Sequence, residues 1–176
     1  MMRIKVRPRV RRVSVVLAGA LVVTASCSHE PPPAPPTPDT PTPVTWSIEA
    51  APESRPAAGG TFNVLLTAKM VRGWHMYAMS QVAGGPVALK IAVPIDPPFS
   101  MGRIVEPAPK KAFDQNFNVE TQFFDADTTF TVPVLVAART PAGSKKLNLD
   151  VEFQVCSERL CHPAEKVSLA MNVGVQ

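Results

Sequence analysis

Several absences narrow this sequence before any motif is considered. None of its 176 residues lies in a stretch with a sustained helical period, which leaves strands as the regular structure to look for. There is no Cys-x-x-Cys pair, so a thioredoxin-like redox motif is excluded. No acidic residue precedes Glu30, and the longest apolar run, 13–25, falls short of the roughly 20 residues of a membrane-spanning helix. Cysteine is scarce, with three in the chain: Cys27, Cys156 and Cys161.

The missing acids and the short apolar run belong to one feature. "MMRIKVRPRVRR" is basic, "VSVVLAGALVVTA" is apolar, and "TASC" ends in small residues and Cys27, which is the grammar of an export signal. The end of this segment resembles a bacterial lipobox, whose cysteine becomes lipidated, with Thr24 where Leu is usual. The alternative is an ordinary signal peptide cut near Ala25 or Ser26, leaving Cys27 unmodified. Ser28 is not the Asp of a retention signal, which favours an outer-membrane anchor where the host has one. Six of the 18 basic residues lie in residues 1–12, so the remaining chain carries 12 basic and 14 acidic residues, a net −2. The basic excess therefore belongs to the signal, and nothing points to nucleic-acid binding. If Cys27 carries lipid, Cys156 and Cys161 remain as an even pair in an oxidising compartment.

Residues 31–43, "PPPAPPTPDTPTP", hold eight of the chain's 20 prolines. Such a segment cannot pack a core and suits an extended spacer, reaching roughly 40 Å at about 3.1 Å per residue. The organisation expected is a signal at 1–26, a Pro-rich linker at 27–44 and a folded domain at 45–176. Within that domain, 45–51, 61–70, 73–79, 86–93, 128–138, 146–155 and 166–175 read as strands, most of them alternating with period two and separated by Gly/Pro turns. Short strands at this spacing predict an all-β domain, a two-layer sandwich of the immunoglobulin-like kind.

A sandwich of this size buries an adequate core without a covalent staple. Cys156 and Cys161 would also make a weak one, because closing a six-residue loop removes only about 2 kcal/mol of denatured-state freedom. In "VEFQVCSERLCHP" Cys156 ends a predicted strand and Cys161 begins the return, so the pair sits at the mouth of a hairpin-like turn within disulfide reach. Arg159, His162 and Lys166 lie close in sequence, and positive charge favours a thiolate. From the residues alone a structural disulfide, a redox-active pair and a metal site all stay open. The metal alternative is a soft copper site drawing on Met70, His75, Met76 and Met79. Alternation would place His75 with Tyr77 and Met79 on one face and Met76 on the other.

From about Trp46 to Val175 the chain resembles the N-terminal periplasmic domain of the thiol:disulfide interchange protein DsbD. The resemblance rests on "GWHMY" (73–77), "GGP" (84–86), "PAPKKAFDQNF" (107–117), "FTVPV" (130–134) and "VEFQVCSERLCHPAE" (151–165), in that order. It implies an immunoglobulin-like fold and a Cys156–Cys161 pair that cycles between dithiol and disulfide, with Cys161 forming the mixed disulfide. It further implies a cap loop in which Phe117, preceded by Asp114, Gln115 and Asn116, covers the pair, with His75 and Tyr77 beside the cap. The family prefers acids where this chain has Gln115 and Asn116, which counts against acid-assisted tuning. The implied partners are a thioredoxin-like protein or membrane electron-transfer protein, and envelope disulfide proteins. No cofactor and no metal are called for, because exchange passes between sulfurs. Since the sequence carries no membrane electron-transfer or thioredoxin-like domain, separate partners are expected. A non-catalytic binding or adaptor lipoprotein with a permanently closed disulfide is the rival from another class.

Overall fold

The structure, a computed structural model, describes residues 42–94 and 98–176; the expected signal at 1–26, Cys27 and the linker as far as 41 lie outside the described residues. The regular elements described are strands: β1 (Val44–Ala50), β2 (Thr61–Met70), β3 (Trp74–Tyr77), β4 (Lys90–Ala92), β5 (Phe99–Met101), β6 (Lys110–Asp114), β7 (Val119–Phe124), β8 (Thr128–Val136), β9 (Gly143–Phe153), β10 (Val155–Ser157) and β11 (Glu165–Val175). They form three antiparallel sheets with orders β1-β2-β8-β5, β10-β3-β7-β6 and β11-β9-β4.

Alternation is what builds the core. Phe62, Val64, Leu66 and Ala68 of β2, Phe130, Val132, Val134 and Val136 of β8, and Leu147, Leu149, Val151 and Phe153 of β9 are all buried, while their sequence neighbours face outward or sit at the margin. Burying each large side chain contributes roughly 1.5–3 kcal/mol. Ring pairs join the layers. Trp46 of β1 lies 5.3 Å from Phe153 of β9, and Phe124 of β7 meets Phe130 of β8 edge-on at 5.5 Å. The β1-β2-β8-β5 sheet thus packs against both of the others, and the domain is an immunoglobulin-like β-sandwich.

Two departures from the sequence reading matter for the site. The run 146–155 is not one strand. It switches sheets at Gln154, where β9 leaves β11 and β4, and β10 takes up pairing with β3. Gln154 holds the switch: its carbonyl accepts the Tyr77 N–H at 3.3 Å, its Oε1 accepts the Val87 N–H at 2.8 Å, and its Nε2 donates to the His162 carbonyl at 3.2 Å. The second departure is the β6–β7 hairpin, which lies in a passage without alternation; Lys110, Lys111, Ala112 and Phe113 are all exposed there.

Candidate functional site

The cysteine hairpin is defined by two backbone bonds. Ser157 N–H donates to Leu160 O at 2.7 Å, and His162 N–H donates to Val155 O at 2.9 Å. These bonds flank Cys156 and Cys161, making them a non-hydrogen-bonded antiparallel pair, the register at which facing side chains stand closest. Their Cα atoms are 4.0 Å apart and their sulfurs are joined at 2.05 Å. The turn is also fastened without the sulfurs, because Ser157 Oγ accepts the N–H groups of Leu160 at 3.1 Å and Arg159 at 3.3 Å. Cys156 is fully buried, whereas Cys161 is half-buried.

Register determines which side chains accompany Cys156. It pairs with His75 of β3, and residues directly opposite one another share a face. Tyr77, two residues on, shares that face and pairs with Phe123 of β7, which pairs in turn with β6. The outer face of this sheet therefore carries Cys156, His75, Tyr77 and Phe123, while Val155, Met76 and Phe124 point into the core. The rings touch in sequence: His75 lies 5.1 Å from Tyr77 and 5.2 Å from Phe123, and Phe117 meets Tyr77 edge-on at 5.7 Å.

Phe117 is presented by the turn between β6 and β7. Asp114 Oδ1 accepts the Asn116 N–H at 2.8 Å, an Asx turn, and Asn118 takes the left-handed conformation at φ 56°, which asparagine tolerates well. Asp114 Oδ2 accepts the Tyr77 hydroxyl at 2.6 Å in a buried contact. One carboxylate thus shapes the loop and ties it to β3. The sequence named Asp114 only as a neighbour of the cap; the signal available was an Asp opening a polar turn, a residue that forms Asx turns with the backbone two residues on.

Burial pushes the Tyr77 hydroxyl far above its usual range, reinforced by its hydrogen bond to Asp114 and by that group's charge. Burial also holds the His75 imidazole below its usual value, outweighing the opposing pull of Asp114 and Asp125. His75 Nε2 stands 4.0 Å from Asp114 Oδ2, yet this is not an ion pair at neutral pH because the ring is uncharged there. The Tyr77 proton is committed to Asp114, so the 3.3 Å contact between His75 Nε2 and Tyr77 Oη requires the Nε2–H tautomer donating to the phenol oxygen.

Of the basic side chains expected around the cysteines, Lys166 and His162 have other partners. Lys166 Nζ sits 3.6 Å from Glu152 Oε2, and His162 is 5% exposed, its ring edge-on to Trp74 at 4.8 Å and its Nδ1 3.4 Å from Glu165 Oε1. Arg159 is exposed on the turn. The methionine grouping also disperses. Met76 is in the core, and Met70 and Met79 pack against it. Met79 does not continue the His75–Tyr77 face, because β3 ends at Tyr77. Among the described residues no group of three or more His, Cys, Asp or Glu side chains is arranged to hold a metal. The same outer face opens into a cleft of about 580 Å³, lined by His75, Phe113, Gln115, Asn116, Ser157 and Glu158 among others.

The profile of the family described as "Thiol:disulfide interchange protein DsbD, N-terminal" matches residues 46–172. Among solved structures, the chain is similar to the N-terminal periplasmic domain of ScsB from Proteus mirabilis, with TM-score 0.51 and 20% identity over 78% of this chain and 48% of that one. It thus spans about half the length of the ScsB chain. It is also similar to the Neisseria meningitidis DsbD N-terminal domain in its reduced form, with TM-score 0.48 and 14% identity over 66% of this chain and 82% of that one. No curated protein matches significantly. The chain belongs to the DsbD N-terminal domain family.

Proposed function

We propose that the Cys156–Cys161 pair is redox-active and that the domain works in thiol:disulfide interchange in the bacterial cell envelope, taking electrons from a thioredoxin-like or membrane electron-transfer protein and passing them to envelope disulfide proteins. The observation that carries this reading is a local disulfide on a hairpin held by its own backbone and Ser157 bonds, with one cysteine half-exposed and the other buried. Family membership supports the same chemistry.

The exposure difference supports Cys161 as the attacked sulfur and Cys156 as the leaving one. A partner thiolate attacks Cys161 Sγ, the Cys156–Cys161 bond breaks, and Cys156 leaves as a thiolate that takes up a proton. The partner's second thiol then attacks the mixed disulfide and releases Cys161. Two electrons and two protons have reached this pair, and the partner is left as a disulfide. Run in the opposite direction against an envelope disulfide, the same steps discharge the pair. Phe117 shields the site, resting on Tyr77, and moves aside when a partner docks. His75 and Tyr77 form the wall beneath it. Export is directed by residues 1–26, and Cys27 carries the lipid that anchors the domain to a membrane.

Redox titration against thioredoxin-range buffers tests the reading. The pair is expected to equilibrate within that range, and a Cys156→Ser variant is expected to trap a Cys161 mixed disulfide with a thioredoxin-like protein. A bridge still closed well below about −300 mV would assign the domain to the adaptor class instead.

A further inference from the structure

β11 gives the domain a direction. It begins at Glu165, three residues after His162, and its 11 residues run to Val175. At about 3.3 Å per residue its ends lie roughly 33 Å apart. Beyond the far end, Gln176 N–H donates to Pro56 O at 2.9 Å. At the near end, Glu165 Oε2 accepts the Thr42 hydroxyl at 2.5 Å, while Oε1 of the same carboxylate faces His162 Nδ1 at 3.4 Å. On the other side, Pro43 O accepts the Val71 N–H at 2.9 Å, and Trp74, just beyond that turn, holds the His162 ring. Thr42 and Pro43, the residues leading into β1, are therefore fastened from both sides to the end of the sandwich that bears the disulfide. Glu165 lies four positions after Cys161, a span of at most about 14 Å.

We propose that the N-terminal tether presents the Cys156–Cys161 hairpin toward the membrane holding the anchor, so that the partner it fits is a thiol:disulfide protein seated in or on that same membrane. This rests on the reading of Cys27 as the anchor and of the cysteine pair as redox-active. However the domain swings about Thr42, the far end of β11 sweeps a larger radius than the hairpin, which lies at the Glu165 end of that strand. A partner confined to the same surface then meets the hairpin at the raised effective concentration of a tethered reaction, and a freely diffusing partner gains nothing. A tether joined at Gln176 would present the opposite end.

The test uses the full chain, processed in a bacterial membrane and reconstituted into vesicles with an acceptor dye on lipid headgroups. A fluorescent amino acid replaces exposed Arg159 on the hairpin in one version and exposed Asn172 near the far end of β11 in another, with folding of each checked by circular dichroism. Energy transfer from position 159 is expected to exceed that from position 172, which lies seven residues, about 23 Å, along β11 from Glu165. Equal transfer, or stronger transfer from 172, overturns the orientation and leaves anchoring and redox activity standing. A chain that stays off the vesicles, or a Cys27→Ser version that transfers as well as the natural one, removes the anchor and the inference with it. Failure of the redox reading shows separately, in the titration above.

Discussion

The two hairpins on the outer face of the β10-β3-β7-β6 sheet are built differently. The turn between Cys156 and Cys161 is held by flanking backbone bonds, by Ser157 Oγ and by the Gln154–His162 contact, fastenings separate from the sulfur bridge. The turn between β6 and β7 caps a ladder that runs to the Asp114–Val119 pair, and it docks on Tyr77 through one Asp114 oxygen and the Phe117 ring. The first arrangement suits a segment that must keep its geometry while a covalent bond opens and closes. The second suits a cover whose tip a docking partner can displace, because the tip meets β3 only through side chains, Asp114 and Phe117 on Tyr77.

The contrast can be broken or sharpened experimentally. The largest effect is expected from Cys161→Ser, which should abolish disulfide exchange in an insulin- or thioredoxin-coupled assay. Its cost in denaturant unfolding should be no more than about 2 kcal/mol, the value of a six-residue ring. Loss of the fold in that variant would mean the first hairpin does depend on its bridge. Next is Asp114→Ala, which leaves the buried Tyr77 hydroxyl and the Asn116 N–H without their acceptor. We expect a loss of about 1–3 kcal/mol and faster reduction of the disulfide by a small dithiol. A slower or unchanged reduction rate would detach the carboxylate from any covering role. Phe117→Ala should also speed reduction, with a smaller stability loss of about 0.5–1.5 kcal/mol for the edge-on contact with Tyr77.

The pH dependence follows from His75. Its pKa in the fold lies below the unfolded value of 6.5, so between the two values the unfolded chain binds more protons. The His75 contribution is complete above pH 6.5, and stability should fall as the pH drops below it. Urea midpoints measured across that range should fall less steeply in His75→Gln than in the natural chain. The smallest effect is expected from Lys166→Ala. Its exposed pairing with Glu152 is worth about 0–1 kcal/mol, and the exchange rate should not change, because the ammonium faces Glu152.

How far the sequence could be read depended on whether neighbours along the chain or across it made the feature. β2, β8 and β9 were legible because one side of each is buried and the period is two. β6 was not, since Lys110 through Phe113 are all exposed and leave no alternation. β10 was hidden inside an apparently continuous run because Val155 keeps the inward parity of Phe153 across the sheet switch. The cysteine turn and the shared face of His75 and Tyr77 are local, and alternation found them. Met79 escaped the same rule because the strand stops two residues earlier. Asp114 meets Tyr77 across 37 residues through the β3–β7–β6 register, a relation no local pattern contains. His162, adjacent to Cys161 in sequence, turned out to belong to Trp74 and Glu165.

The sheet switch at Gln154 also constrains how such a chain can vary. Adding or removing one amino acid between Phe153 and Cys156 would swap inside for outside, sending the sulfur toward the sandwich interior and Val155 toward water. Extra residues between Ser157 and Leu160 would only enlarge a solvent loop. Length changes in related chains should therefore collect after the first cysteine, with the Gln-Val-Cys spacing left intact.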